Sequence, residues 1–444
     1  MEAGTLRTFS RDDIIKLVRD RLLKSFGIRK GTVFSLNFGQ FRSSRPCPLA
    51  PAFVDGCVRA FWFTRPTINT FFRDLNGHSL CFHVISLQKY STRIYPQKTK
   101  NRAKGSNKMT LEDRIETFAQ LGNKIKSLSI NEMDSLTDKV RNENAWFVPE
   151  NTKMALQGIS KFLDKEVLKK WISNYSIKNP SSKRIGVAMA GNIPLVGFHD
   201  LLCVLLSGHQ LVAKLSSQDS VLMNFIKDRL IEIDPAFSEE IFFEERLKNL
   251  DGMIATGSDN TSRYFEYYFR NIPHIIRKNR TSCAVILGEE TPEEFNELGK
   301  DIFSYFGLGC RNVSKIYVPE NFDFIPLLDN LESFQSIIHH HKYANNYDYQ
   351  KSIMLVNQTH FYDTGYLMLT ENQTLVSPIS VVYYELYRDQ DDLNSKLQSH
   401  QEKIQCIVSA KGWYKKSIPF GDAQFPEVND YADGIDTLSF LSSL

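Results

Sequence analysis

One cysteine stands in a setting suited to covalent chemistry. Cys310 lies in the sequence YFGLGCRNVSKIYV, after an apolar helical pattern and before a strand-like run. Gly307 and Gly309 permit a tight backbone that a substrate can approach closely, and the cation of Arg311 favours the ionised thiol. These features predict a nucleophile. The alternative is a small buried apolar residue, which is the usual role of an isolated cysteine.

A polar residue also follows a predicted strand at a turn. The sequence VAMAGNIPLVGFHDLL predicts a strand, a turn through Gly191, Asn192 and Pro194, and then a helix. In α/β sheets, ligands bind beyond the carboxyl ends of the strands. At such a place the Asn192 amide can donate to a developing oxyanion. The alternative is that these residues only build the turn.

Two further strand ends carry residues suited to a nucleotide. Lys214 ends the apolar strand QLVAK, and Ser216 and Ser217 follow it. A cation with two hydroxyls suits ribose and phosphate groups, although an ordinary surface lysine is the simpler explanation of this segment alone. In IATGSDNT, Gly257 and Ser258 begin a predicted helix, where backbone amides can face a pyrophosphate. That segment is neither a GxGxxG fingerprint nor a P-loop.

The histidine run His339–His341 does not predict a metal site. Adjacent side chains point in different directions, and no second ligand cluster has the required spacing. Cys203, Cys283 and Cys406 lie in apolar runs and are predicted to be structural. We therefore expect no metal.

These residues must be positioned by alternating strands and helices, which follow one another from Lys183 onward. The predicted strands are KRIGVAMAG, QLVAKL, DGMIATG, SCAVILG, VSKIYV and SVVYYEL, and the predicted helices are FHDLLCVLLSG, SVLMNFIKDRLIEI, SRYFEYYF and PEEFNELGKDIFSYF. Gly208 is placed to end the first of these helices, and Pro292 to begin the last. An earlier amphipathic helix has Thr110 as its predicted N-cap. Such alternation predicts an α/β fold with a mostly parallel sheet.

The first 108 residues differ from the rest of the chain. They hold 20 Lys and Arg against 6 Asp and Glu, whereas the remainder holds 34 against 45. Apart from one amphipathic pattern over Arg11–Phe26, regular apolar spacing is missing. The segment is predicted to be a disordered basic extension, a targeting arm, or upstream sequence preceding a true start at Met109. Its aromatic residues form no RNA-binding motif, so we expect no nucleic-acid partner.

The composition is that of a globular protein. The chain has 444 residues, of which 42% are hydrophobic and 24% charged, and this length predicts two or three domains. Seven scattered cysteines without a CxxC pair favour a reducing, cytoplasmic compartment. No apolar run is long enough to predict a membrane span, and the N-terminus does not have the pattern of a signal peptide.

In their order along the chain, these motifs resemble the aldehyde-dehydrogenase superfamily, and within it the LuxC-type long-chain acyl-CoA reductase family, from about Met109 to Leu444. GNIPL resembles the oxyanion turn, LVAKLSS the strand whose lysine contacts the adenosine ribose, ATGS the pyrophosphate segment, and LGCRNVSKIYVP the nucleophile segment. The C-terminal sequence IPFGDAQFPEVNDYADGIDTLSFL is the longest match. The resemblance implies catalytic roles for Cys310 and Asn192, and cofactor contacts by Lys214, Ser216, Ser217, Thr256, Gly257 and Ser258.

The resemblance also implies a domain order. We expect a Rossmann-like nucleotide-binding domain and a smaller α/β catalytic domain. The predicted boundaries are 1–108 for the basic extension, 109–283 for a helical lead-in and the nucleotide-binding domain, 284–410 for the catalytic domain, and 411–444 for a C-terminal segment. That last segment is expected to close the structure and to join subunits of a homo-oligomer.

The sequence departs from the superfamily at three positions. Arg277 falls near the place of the glutamate that activates water in hydrolytic members, and Thr374 takes the place of the glutamate that contacts the nicotinamide ribose. Ser217 stands where NAD-preferring members often carry glutamate. Without that carboxylate, repulsion of a 2′-phosphate is absent, which favours NADPH.

The resemblance therefore implies reduction of a long-chain acyl thioester to a fatty aldehyde, through an acyl-enzyme on Cys310. The acyl carrier would be CoA or an acyl carrier protein, and NADPH the reductant. His199 is the candidate proton donor nearest to the Asn192 turn. Two alternatives remain: a CoA-acylating dehydrogenase of short aldehydes that uses NAD, and an acyl-transferring subunit of a fatty-acid reductase complex.

Overall fold

The computed structural model divides the chain into two compact units, Met1–Lys104 and Gly105–Leu444. The residues that the structure describes are 70–73, 79–82, 109–177, 182–257 and 259–444. In the first unit they form one antiparallel pair, β1 (Thr70–Arg73) with β2 (Ser79–Phe82). The helix predicted over Arg11–Phe26 lies outside the described residues.

The second unit begins with four helices. They are α1 (Leu111–Lys126), α2 (Ile130–Glu143), α3 (Pro149–Phe162) and α4 (Lys165–Ile172). The predicted N-cap is confirmed: the Thr110 hydroxyl accepts from the Asp113 N–H, and the Asp113 carboxylate accepts from the Thr110 N–H. This reciprocal pair satisfies two of the backbone donors that a helix start leaves unpaired. It fixes where α1 begins.

A buried arginine ties α1 to the sheet behind it. Arg114 is 2% exposed, and its guanidinium donates to the Leu205 carbonyl oxygen at 2.8 Å and to the Glu240 carboxylate at 2.5 Å. A fork of this kind matches a carboxylate with two parallel bonds. Breaking such a buried pair leaves an uncompensated charge and costs about 3–5 kcal/mol. The helical lead-in is therefore part of the same folded unit as the sheet.

A five-stranded parallel sheet follows the helices. Its strands are β3 (Arg184–Ala188), β4 (Gln210–Lys214), β5 (Ile241–Phe243), β6 (Gly252–Thr256) and β7 (His274–Arg277), connected through the helices α5 (Phe198–Leu206), α6 (Ser220–Ile233) and α7 (Asp259–Phe269). The spatial order is β5-β4-β3-β6-β7, so the chain reverses its direction of travel at β3. Gly208 ends α5 with φ +83°, as predicted. Ligands in such sheets bind where the order reverses.

A second sheet has seven strands in the order β10-β11-β12-β9-β8-β13-β14, all parallel to their neighbours except β10. These are β8 (Thr281–Val285), β9 (Val313–Pro319), β10 (Tyr362–Asp363), β11 (Met368–Glu371), β12 (Val381–Tyr387), β13 (Ile404–Ser409) and β14 (Ile418–Pro419). The helices are α8 (Pro292–Phe303), α9 (Phe324–Asn330), α10 (His341–Val356), α11 (Gln390–Ser399) and α12 (Thr437–Ser442). The predicted α/β class is confirmed.

Two sequence predictions need adjustment. The second sheet already begins at Thr281, so the two sheets divide between Arg277 and Thr281 rather than after Cys283. The helix predicted to run through PEEFNELGKDIFSYF ends at Phe303, because the next residues leave helical geometry. Among the described residues, no helix has the length and apolar character needed to cross a membrane.

The C-terminal residues pack against the first sheet. Helix α12 lies on α5, and Leu438 and Leu441 are fully buried there. The His209 ring pairs its Nε2 with the Leu441 carbonyl oxygen at 3.0 Å, and the Lys183 ammonium contacts the Leu444 carbonyl oxygen. The segment that ends the chain therefore stabilises the strands that begin the sheet.

Removal of residues 1–108 should leave a chain that unfolds cooperatively within about 3 °C of the full-length midpoint, because both sheets and their core clusters lie within the second unit. Thermal unfolding followed by circular dichroism measures this. Removal of residues 1–126 is the matched control: it also deletes α1 and Arg114 and should lower the midpoint strongly. Aggregation or a clearly lower midpoint of the shorter deletion would contradict the prediction.

Candidate active site

Cys310 follows a strained stretch of backbone. Helix α8 ends at Phe303, and Tyr305, Phe306 and Gly307 all have positive φ, at 51°, 60° and 76°. This left-handed conformation is ordinary for glycine but costs other residues about 1–2 kcal/mol each. Cys310 comes three residues after Gly307, on the exposed side of the segment that leads into β9. Something must hold this geometry in place.

The side chain of Asn312 provides one such restraint. It is 2% exposed, and its amide nitrogen donates to the carbonyl oxygens of Asp301 at 3.0 Å and Ser304 at 2.8 Å, while its oxygen accepts from the Gly309 N–H at 2.8 Å. One residue thus joins the end of α8 to both sides of Cys310. Sequence reasoning did not identify Asn312; its only signal was an asparagine next to a glycine turn.

Aromatic packing supports the same stretch from outside. The Phe306 ring centroid lies 4.4 Å from that of His340 and 5.3 Å from that of Trp146, and His340 also stacks on Trp146 at 4.9 Å. The His340 ring pairs with the Ala145 carbonyl oxygen at 2.9 Å. His340 therefore has a packing role, and no group of three or more His, Cys, Asp or Glu among the described residues could hold a metal.

The segments that carry Asn192 and Cys310 are connected to different sheets but contact each other. The turn after β3 carries Asn192, and its amide nitrogen donates to the Leu308 carbonyl oxygen at 2.8 Å. Leu308 is two residues before Cys310. The amide nitrogen has a second hydrogen besides the one given to Leu308. The predicted nucleophile and the predicted oxyanion donor are thus brought together by a direct contact between their segments.

The thiol of Cys310 is held largely protonated. Although the residue is exposed, the protein atoms around its sulfur raise its pKa to about 11 by desolvation, and the Arg311 cation opposes that rise. The negative charge of Asp433 raises the pKa further, while the backbone N–H of Cys310 lowers it. Arg311 is oriented by the Ala423 carbonyl oxygen at 3.4 Å and lies 4.0 Å from Asp430.

A buried carboxylate fastens the C-terminal segment beside this site. Asp301 in α8 is fully buried, and its two oxygens accept from the backbone N–H groups of Gly421 at 2.8 Å and Ala423 at 3.2 Å. Burial raises the pKa of Asp301 to about 7, and the two amides oppose that rise. Gly421 has φ +89°, so a larger residue would be strained there. These contacts hold the segment IPFGDAQF against α8.

The predicted cofactor residues gather at the carboxyl edge of the first sheet. Lys214 is exposed at the end of β4, and Ser216 and Ser217 follow it. Gly191 lies so close to Ser216 that a Cβ at Gly191 would collide with the serine hydroxyl. Thr256 is partly buried at the end of β6. These ends flank β3, where the strand order reverses.

In the predicted pyrophosphate segment, the backbone amide of Gly257 is bonded within the protein. The Gly257 N–H donates to the Arg277 carbonyl oxygen at 3.2 Å, so this amide is engaged in the sheet and does not point to a phosphate. A Cβ at Gly257 would lie 3.0 Å from the Thr261 side chain, which shows that glycine is needed there for close packing of α7. Ser258 lies outside the described residues.

Arg277 occupies a buried ion pair. It is 3% exposed, and its guanidinium donates to both oxygens of Asp200 at 2.9 and 2.8 Å and to the Thr437 hydroxyl at 2.6 Å. The Arg277 guanidinium therefore joins α5 to α12 through Asp200 and Thr437. Thr374 is exposed, and its hydroxyl donates to the side-chain oxygen of Asn372 at 2.9 Å.

His199 does not have the setting expected of a proton donor. Its Nε2 pairs with the Val428 carbonyl oxygen at 2.7 Å and its Nδ1 lies 3.8 Å from the Cys203 sulfur. The rings of Phe162, Trp171 and Tyr431 surround it, and burial lowers its pKa. Both ring nitrogens are engaged, so His199 packs the C-terminal segment instead.

Residues 115–323 match the family model described as "Acyl-CoA reductase (LuxC)". The resemblance to the LuxC-type acyl-CoA reductases is thereby confirmed over this stretch, which contains Asn192, Lys214 and Cys310. The comparison with curated proteins gave no match.

Solved aldehyde dehydrogenases share the fold. Aldehyde dehydrogenase 21 from Physcomitrella patens, in complex with the reaction product succinate, has a TM-score of 0.54 at 11% identity and covers 76% of this chain and 84% of its own. A putative aldehyde dehydrogenase from Burkholderia cenocepacia has a TM-score of 0.51 at 10% identity, and the match covers 68% of this chain and 74% of that one. The NAD+ complex of an aldehyde dehydrogenase from Bacillus cereus has a TM-score of 0.50 at 12% identity, and the match covers 69% of this chain and 73% of that one. These structures show the fold, and the family match supports an oxidoreductase.

Two charge changes should move the reactivity of Cys310 in opposite directions. Arg311→Gln should raise the thiol pKa and slow alkylation by iodoacetamide at about pH 8 roughly two- to tenfold, since a neighbouring cation favours the thiolate. Asp433→Asn should lower the pKa and speed alkylation. The measurement is the rate of Cys310 labelling against pH, read by peptide mass. If both variants change the rate in the same direction, local disruption and not charge is the cause.

Proposed function

We propose that this chain is an NADPH-dependent fatty acyl-CoA reductase that works through an acyl-enzyme on Cys310. The observation that carries the proposal is the 2.8 Å hydrogen bond from the Asn192 amide to the Leu308 carbonyl oxygen. This bond joins a turn of the nucleotide-binding sheet to the segment that presents the thiol. The match of residues 115–323 to acyl-CoA reductases supplies the substrate class.

In the first step, the Cys310 sulfur attacks the thioester carbonyl and a tetrahedral oxyanion forms. The second hydrogen of the Asn192 amide and the backbone N–H of Cys310 stabilise this charge. The carbon–sulfur bond to CoA then breaks, CoA leaves as the thiolate, and the acyl group stays on Cys310. Because the thiol pKa is about 11 before substrate binds, the thiol releases its proton to solvent as attack proceeds, and the Arg311 cation favours that release. The CoA thiolate takes up a proton from solvent after it leaves.

The acyl-enzyme should resist hydrolysis. In place of a carboxylate that could activate water, the chain has Arg277, whose guanidinium is taken up by Asp200 and Thr437. A buried, paired cation cannot act as a general base. The acyl group is therefore kept for reduction and not lost as the acid.

The carboxyl edge of the first sheet fits a nicotinamide cofactor. Lys214 offers a cation, and Ser216 and Thr256 offer hydroxyls. Ser217 is exposed and uncharged, so a 2′-phosphate meets no carboxylate at that position. When bound there, NADPH would supply a hydride to the acyl carbon. The thiohemiacetal on Cys310 would then collapse, releasing the aldehyde and the thiolate.

The LuxC-type family match favours long fatty chains, carried by CoA or by an acyl carrier protein.

Alanine substitutions of Cys310 and Cys406 should have different effects on acylation and on NADPH oxidation. Cys310→Ala should abolish both the acyl adduct and NADPH oxidation, because it removes the thiol that accepts the acyl group in the proposed mechanism. Cys406→Ala, which removes another partly accessible thiol, should retain both. Intact mass after mixing with palmitoyl-CoA and the absorbance of NADPH measure the two steps. An adduct that persists in Cys310→Ala would refute the nucleophile.

Ser217→Glu should shift the preference from NADPH toward NADH by about ten- to a hundredfold, because the new carboxylate would repel the 2′-phosphate. The measurement is the ratio of kcat/KM for the two cofactors. Ser217→Ala is the control, since it removes the hydroxyl without adding charge. A wild-type enzyme that already prefers NADH would contradict the assignment of this position.

A further inference from the structure

Two turns at the carboxyl edge of the first sheet are joined by one buried carboxylate. Asp219 is 2% exposed, and its Oδ2 accepts from the Leu195 N–H at 2.7 Å. Leu195 lies three residues after Asn192 in the turn that follows β3, and its φ is +60°. A leucine in this left-handed conformation costs about 1–2 kcal/mol. The contact to Asp219 therefore holds a strained part of the turn that carries Asn192.

Asp219 stands at a position that normally serves a different purpose. It is the N-cap residue of α6, where an aspartate ordinarily accepts from the amides of the first helical turn. Here its side chain makes no such bond. Glu143 at the end of α2 takes over instead: its carboxylate accepts from the Val221 N–H at 3.0 Å and from the Ser220 hydroxyl. Asp219 is thus released to reach across to the neighbouring turn.

This arrangement has an energetic cost. The other carboxylate oxygen of Asp219 is buried and has no hydrogen-bond partner among the described residues, and an unpaired buried polar atom costs about 1–3 kcal/mol. Burial raises the pKa of Asp219 to about 8, opposed by the Leu195 N–H. Starting α6 does not require this cost, because Glu143 already accepts from the first amides of the helix. The buried position of Asp219 and its bond to Leu195 therefore point to a role in the turn that it contacts.

We propose that Asp219 is a positioning residue for acylation: by binding the Leu195 N–H, it fixes the turn so that the Asn192 amide reaches the nucleophile segment. Two further contacts restrain the same turn: Asn192 bonds to Leu308, and Gly191 packs tightly against Ser216. The inference rests on the proposed role of Asn192 in stabilising the oxyanion. It adds a residue that touches neither substrate nor cofactor.

The test is a double-mutant cycle on the rate of Cys310 acylation by palmitoyl-CoA in the absence of cofactor, followed by intact mass. Asn192→Ala should slow acylation about 10²–10³-fold, the usual loss of one oxyanion donor. Asp219→Ala should slow it about 10–100-fold with little change in the Kd for palmitoyl-CoA. Asp219→Asn, whose amide oxygen can still accept from Leu195, should recover most of the rate. The double variant should be no slower than Asn192→Ala, since Asp219 acts through Asn192.

Asp164→Ala is the matched control, because it removes an N-cap carboxylate at α4 that accepts from the Glu166 and Val167 amides. It should lower stability without slowing acylation. If Asp219→Ala does not fold, Asp219→Ser takes its place in the experiment. The serine hydroxyl is too short to reach the Leu195 N–H, so acylation should again be about 10–100-fold slower. A rate for the Asp219 variant within threefold of wild type, or additive losses in the double variant, would overturn the inference. A rate for Asn192→Ala within threefold of wild type would overturn the proposed role of Asn192 itself.

Discussion

The geometry before Cys310 depends on three hydrogen bonds made by the buried side-chain amide of Asn312, which lies two residues after the thiol. Its backbone partners, Asp301, Ser304 and Gly309, all precede Cys310. These bonds and the packing of Phe306 against His340 hold Tyr305 and Phe306 in the left-handed conformation, which is costly for residues other than glycine. The left-handed residues end α8 at Phe303, and Leu308, two residues before Cys310, contacts the Asn192 turn. A flexible loop of the same composition would present the thiol in many orientations, and most of them would be unproductive.

Around this centre, the C-terminal segment acts as a structural partner of both sheets. Asp301 binds two of its amides beside Cys310. On the first sheet, Arg277 joins Asp200 to Thr437. Such contacts are buried, hydrogen-bonded and charged, so each requires its partner to be present. The residues of this C-terminal sequence are therefore constrained by contacts with two parts of the fold at once.

Much of the fold could be predicted because local signals agreed with the final structure. Thr110 and Asp113 mark a helix start, Gly208 marks a helix end, and both signals act within a few residues. The end of α8 was missed for the opposite reason. Tyr305 and Phe306 continue the apolar helical pattern, and only the distant side chains of Asn312 and His340 favour another conformation. The Gly257 amide, taken up by the Arg277 carbonyl, was likewise decided by a strand pairing that no short motif records.

In the candidate site, residue types were easier to predict than partners. Cys310 and Asn192 belong to motifs whose chemistry is local, whereas His199 looked available until its aromatic neighbours and the Val428 carbonyl were seen. Asp219 has the sequence signature of a helix cap, and nothing nearby in sequence shows that Glu143 performs that task. A sequence pattern cannot show that a residue far away in the chain makes the contacts expected of a local one.

The bond between Arg311 and the Ala423 carbonyl spans 112 residues, and this has a consequence during protein synthesis. At roughly 5–20 residues per second, the ribosome adds Ala423 roughly 6–22 s after Arg311. Throughout that interval, the guanidinium that favours the Cys310 thiolate lacks the backbone acceptor that orients it in the folded chain. The electrostatic setting of the thiol is therefore completed only after the C-terminal segment has been made.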